Sequence, residues 1–165
     1  MRKALLIWSA LVAFLVALSL GFIAWTNGAG GWLGGEHTPL LRPADVSLVE
    51  LGGSVYREQC ASCHGAALQG EPDWQTPNSD GTLKAPPHDE SGHTWRHADD
   101  LLFRITKLGT SRAINDPDYL SNMPAFEGVL SDDEIVAVLS FIKAQWPPEI
   151  QTAHDDLNAR VTNQP

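Results

Sequence analysis

The stretch Cys60-Ala61-Ser62-Cys63-His64 holds both cysteines of the chain, with a histidine directly after the second. Two thiols three positions apart, on the turn that ends a helix, can each add to one vinyl group of a porphyrin. The histidine that follows then projects under the ring and ligates the iron through one imidazole nitrogen. C-x-x-C-H is accordingly the attachment signature of c-type haem. Two other uses of the pair compete with this one. A structural zinc site takes four Cys or His ligands, commonly from a second pair, and no further cysteine is supplied. A redox dithiol of the thioredoxin kind opens a helix after a strand, and no strand-like run precedes Cys60. The expected cofactor is one covalent haem c on Cys60 and Cys63, its iron held by His64.

A second iron ligand is expected at Met123, the only methionine besides Met1. Iron held by His and Met is the arrangement of electron-transfer haem, in which the thioether raises the potential. An isolated Met is more often a gap-filler in a core. This one lies in Asn122-Met123-Pro124-Ala125-Phe126, a breaker-containing loop between two helical patterns, where a core filler is less expected. The histidines complicate the choice. His88, His93 and His97 cluster, and they offer either an alternative haem ligand or a copper or zinc site. Surface or hydrogen-bonded histidines are the plainer reading. His37 and His154 are given no role.

Helices must position these groups. Asp45 or Ser47 can cap a helix whose apolar face holds Val46, Val49, Leu51, Val55 and Tyr56, and which runs into Cys60. Gly52 and Gly53 weaken that helix, so they are expected to permit a close crossing. Residues 65–94, with four glycines and four prolines, read as a long loop wrapped around a cofactor. Residues 98–108 form a second helix stopped by Gly109, and a short turn is expected near 117–121. Ser131-Asp132-Asp133-Glu134 is a capping box opening a third helix, with Ile135, Val138, Leu139 and Ile142 on its apolar face. Pro147-Pro148 ends that helix. The expected class is therefore all-α.

Outside this domain, 46–148, the chain divides simply. Residues 4–25 form an uncharged run of 22 residues behind Arg2 and Lys3, about 33 Å long as a helix and enough for a bilayer core. They are expected to form a retained transmembrane anchor, 1–25, rather than a cleaved signal peptide, whose apolar region is shorter. The two cations place the N-terminus in the cytoplasm and the rest outside a bacterial inner membrane. Residues 26–45 form a Gly/Pro-rich linker, with five glycines between 28 and 35. Residues 149–165 form a polar tail, either a short helix or disordered. From Asp45 onward there are 19 acidic and 8 basic residues, which argues against nucleic acid and against anionic lipid surfaces as partners.

Taken together, the helix before C-x-x-C-H, the Met-Pro loop and the capped last helix resemble a class I cytochrome c, over residues 46–146. The resemblance implies three main helices with long haem-wrapping loops. In that family a glycine eight residues before the first haem cysteine and an aromatic four before it mark a crossing with the last helix. Gly52 and Tyr56 hold those positions, and Phe141 is similar to the aromatic of the last helix. A proline carbonyl after the motif accepts the other N–H of the proximal histidine, a role open to Pro86 or Pro87, with Pro87 among the expected cofactor-binding residues. Trp95 offers an indole N–H that in some members contacts a haem propionate. Residues 85–109 also resemble membrane-anchored bacterial monohaem cytochromes. The lysine ring through which mitochondrial-type members dock is absent from this acidic chain.

The resemblance implies a single-electron carrier and not an enzyme, exchanging electrons with a redox protein donor and acceptor such as a respiratory complex or oxidase. Two alternatives stand beside it. One is a haem enzyme or a gas or peroxide sensor with a labile sixth position; the other is an electron-transfer subunit of a larger oxidase or dehydrogenase.

Overall fold

The computed structural model describes residues 40–163, and the expected anchor and most of the expected linker lie outside them. Among the described residues no helix is long and apolar enough to cross a membrane. The fold is all-α. Helix α1 spans Val46–Val55, opened by the Asp45 carboxylate, which accepts from the Leu48 amide at 3.1 Å. A widened π-turn, Tyr56–Cys60, carries it into the short α2, Ala61–His64. One extra residue in a turn rotates everything beyond it by about 100°, so the cysteines leave α1 in a different phase from the buried Val55.

Helix α3 spans Asp99–Leu108, α4 Thr110–Ile114, and α5 Asp132–Ala144. Ser131 and Glu134 cap α5 reciprocally, as the capping box predicts. The short α4 was hidden in the sequence: five residues between Gly109 and a left-handed Asn115 are too few to show a period. Residues 148–162, for which helix and disorder were both open, form α6, Pro148–Thr162, with Pro148 at its first position, where no amide partner is lost. Two isolated bridges, Leu83 with Ser121 and Glu127 with Leu130, are the only extended pairing among the described residues.

The core forms where α1 crosses α5. Val55, Tyr56, Ile135, Val138, Leu139, Ile142 and Trp146 are buried together, with Phe141 packed on the flank. Each fully buried aliphatic side chain there contributes about 1.5–3 kcal/mol. Gly52 sets the distance of approach. A β-carbon at this position would sit on the Ala137 carbonyl of α5 and 2.8 Å from the Phe141 β-carbon. Only glycine lets the two backbones touch.

The end of the expected linker belongs to the domain. Leu41 is buried, its amide donates to Asp99 Oδ2 at 3.0 Å, and the Arg42 amide donates to Ser140 Oγ at 2.9 Å. Helix α6 is fixed close by. Its fully buried His154 shares hydrogen bonds with the His97 carbonyl and Asn158, and Asp155 pairs with the buried Lys143 of α5.

Candidate cofactor site

The π-turn and α2 end at Gly65, in a positive-φ conformation, and deliver the three residues of the motif. Cys60 is half-buried and Cys63 exposed, and they form no disulfide. Burial, assisted by the neighbouring Cys63, pushes the Cys60 thiol up to about 11. A redox dithiol needs the opposite shift, towards thiolate at neutral pH, so the thioredoxin-like use of the pair is disfavoured. That leaves both thiols for thioether bonds to a porphyrin.

His64 is buried, and its Nδ1 lies 2.8 Å from the Pro86 carbonyl oxygen. A carbonyl can only accept, so Nδ1 carries the proton and Nε2 keeps the lone pair that a metal requires. Burial lowers the His64 pKa, partly opposed by the Pro86 carbonyl and by Glu71, and this favours the neutral ligating form.

The partner carbonyl is that of Pro86 and not of Pro87. Successive carbonyls of an extended chain point to opposite sides. The Pro87 oxygen lies against Gly92, where a β-carbon would collide with it, and accepts from Thr94 Oγ1 at 3.4 Å. Across the segment, Gly70 approaches the Ala85–Pro87 backbone so closely that a β-carbon would stand 2.5 Å from the Pro87 nitrogen. Gly70 donates to the His64 carbonyl at 2.8 Å and Glu71 to the Ala85 carbonyl at 2.9 Å. The two glycines thus clamp the Pro-Pro pair in register with His64.

Met123 is half-buried in a loop held at both ends. Its amide donates to Ser121 Oγ at 3.1 Å, Ser121 bridges to Leu83, and Asn122 Nδ2 donates to Thr82 Oγ1 at 3.0 Å. On the other side, the amides of the buried Phe126 and of Glu127 donate to the carbonyls of Thr106 and Lys107 at the end of α3. The loop that carries the Met123 thioether is thus tied to residues 82–83 on one side and to the end of α3 on the other.

Trp95 lies in a 3-10 turn, Thr94–Arg96, packed against the core with the Arg96 guanidinium 4.8 Å from its ring centre. Its indole N–H is buried without a partner, as are His88 Nδ1 and His93 Nδ1. Buried polar atoms are nearly always satisfied. Three orphans within eight residues, one of them on the ring stacked against His64, fit a chain built to close on a polar-edged cofactor.

The other histidines part company. His88 stacks face to face on His64, with ring centres 3.8 Å apart and planes 18° from parallel. Two imidazoles on opposite sides of one metal stand roughly 6 Å apart, since each metal–nitrogen bond alone takes about 2 Å. This geometry disfavours His88 as the sixth ligand. His93 stacks on Trp74 at 5.2 Å and meets His97 edge-on at 5.2 Å. The turn between them is 3-10, so they do not share an α-helical face, and among the described residues no three His, Cys, Asp or Glu side chains form a metal cluster.

Comparison with known families agrees with this site. Residues 47–142, more than half of the chain, match the family described as cytochrome c oxidase, cbb3-type, subunit III. The chain belongs to this family. It is a class I monohaem cytochrome c, and the cofactor of the cytochrome domain is covalently bound haem c with its iron. Searches of curated proteins and of solved structures return no match.

Proposed function

We propose that the protein is a single-electron carrier whose haem c is held by thioethers to Cys60 and Cys63 and ligated by His64 and Met123. The observation that carries this reading is the His64–Pro86 contact at 2.8 Å, which leaves one imidazole lone pair beside two uncombined thiols. When bound, haem c supplies a one-electron ferric/ferrous couple. The chain's residues supply the rest. Pro86 fixes the tautomer of His64 and strengthens it as a donor. The soft, neutral Met123 thioether favours the reduced state and keeps small molecules from the iron. Trp95 offers its unpartnered N–H to an acidic edge of the cofactor. No substrate is transformed in this reading.

Residues 4–25 would tether the cytochrome domain to the outer face of a bacterial inner membrane, with the glycine-rich segment as the linker. The family description names an oxidase subunit, which supports a place in electron delivery to or within a terminal oxidase.

The test uses full-length protein matured with haem. Haem should survive acid denaturation in one-to-one ratio, and the protein should resist carbonate extraction from membranes. The ferric form should show the weak far-red charge-transfer band of thioether ligation, lost in Met123→Ala, and ferrous wild-type protein should exclude carbon monoxide. Ready carbon monoxide binding by the wild type would favour the sensor or enzyme over the carrier.

A further inference from the structure

We propose that His88 is a positioning residue that fixes the plane of the His64 imidazole, an inference that rests on His64 being the iron ligand. One hydrogen bond at Nδ1 sets the tautomer of a ring but tolerates considerable twist about the Cβ–Cγ bond, because hydrogen-bond angles are soft. A flat surface in contact with the ring face does not. His88 provides that surface, 3.8 Å away and 18° from parallel.

His88 is itself anchored from several directions. Its amide donates to the Leu68 carbonyl at 2.7 Å, and its carbonyl accepts from the Trp146 indole N–H at 2.8 Å. The buried Tyr56 ring meets it edge-on at 6.0 Å and 64°. These partners come from the loop after the haem motif, the end of α5 and the end of α1. The plane of His64 is therefore referred to the packed core and not only to its own loop.

With the iron held by His64, the plane of its ring would determine how the imidazole π orbital overlaps the iron d orbitals. It therefore sets the magnetic anisotropy of the ferric state. A ring that cannot turn also rearranges less when the iron changes oxidation state, which suits an electron carrier. Nothing in this role requires His88 to gain or lose a proton.

The experiment compares haem-loaded wild type with His88→Ala, His88→Leu and His88→Phe by ferric electron paramagnetic resonance and by the proton shifts of the haem methyl groups. His88→Ala should shift and broaden the largest g value and reorder the methyl shifts. His88→Leu, which fills the space without a flat face and guards against a folding defect of the alanine variant, should do the same in milder form. His88→Phe should restore the wild-type pattern. Unchanged spectra in both His88→Ala and His88→Leu would overturn the proposal. So would a Phe variant as displaced as the Leu variant, since the nitrogens and not the plane would then matter. A wild-type ferric spectrum without imidazole ligation would instead defeat the ligand assignment on which the inference rests.

Discussion

The Tyr56 hydroxyl donates to the Gly65 carbonyl at 3.0 Å, across the whole haem-binding motif. Tyr56 is also the aromatic that packs on Phe141, at 5.5 Å between ring centres, in the crossing of α1 with α5. One side chain thus ties the core to the residue immediately after His64. Burial, with smaller contributions from Cys60 and Asp89, raises its pKa above the usual phenol range, so it remains a donor at any physiological pH.

Tyr56→Phe keeps the ring and removes this tie. The Gly65 carbonyl retains one other donor, the Leu68 amide at 3.1 Å, so the loss should lie near that of a single hydrogen bond, about 1 kcal/mol. Denaturant titration of the haem-loaded variant should show a lower midpoint with an unchanged slope. No change in midpoint would mean that the bond is exchanged for water at no net loss.

Acid should weaken the seat of α6 through His154. Its Nε2 lies 2.9 Å from the His97 carbonyl, and Asn158 Nδ2 lies 3.4 Å from Nδ1. Burial first, then the Lys143 ammonium, lowers its pKa, against the opposing pull of the His97 carbonyl, Asp99 and Asp155. The unfolded chain then takes up the proton near the ordinary histidine value of about 6.5 while the folded chain does not. Protons are bound preferentially by the unfolded state, so stability must fall as pH drops below that value. The buried His88 acts in the same direction. Midpoints measured at about pH 7.5 and 5.5 should differ more in wild type than in His154→Gln. Equal losses in the two proteins would remove His154 from the account.

The sequence carried the motif, the capped α5 and the Gly52 crossing because each is a local pattern with its own physical reason. It did not carry the choice between Pro86 and Pro87, which depends on where Gly70, earlier in the loop, and Gly92, just beyond the pair, press on the Pro-Pro backbone. Nor did it show His88 against His64, or His154 in the core. A histidine is equally at home on a surface, on a metal or in a hydrogen-bonded interior, and only its tertiary neighbours decide. His93 and His97 would share a face only on an α-helix, and the turn between them is 3-10.

Electron exchange should be steered by negative charge beside the Met123 loop. Residues 71–84 and 115–127, the two loops joined by the Leu83–Ser121 bridge, hold six carboxylates, Glu71, Asp73, Asp80, Asp116, Asp118 and Glu127, against the single cation Lys84. Thr82 donates its hydroxyl and amide to Asp80 and lowers its pKa, which keeps it ionised. Glu127 is paired with Arg112 at 3.1 Å, and Leu83 and Leu120 on the same two loops are 41% and 53% exposed. Such a surface favours a basic redox partner, and the attraction is screened as the Debye length falls from about 30 Å at 0.01 M salt to about 10 Å at 0.1 M. Two small probes separate this from any effect of protein docking. Reduction of the ferric protein by hexaammineruthenium(II), a cation, should slow as salt rises, and reduction by hexacyanoferrate(II), an anion, should quicken. Asp116→Asn with Asp118→Asn should lower the cation rate severalfold at low salt, whereas the charge-matched pair Glu149→Gln with Asp156→Asn on α6 should leave it nearly unchanged. Equal effects of the two sets of substitutions would mean that only the net charge of −9 steers the encounter, and a cation rate indifferent to salt would place the point of electron entry away from these loops.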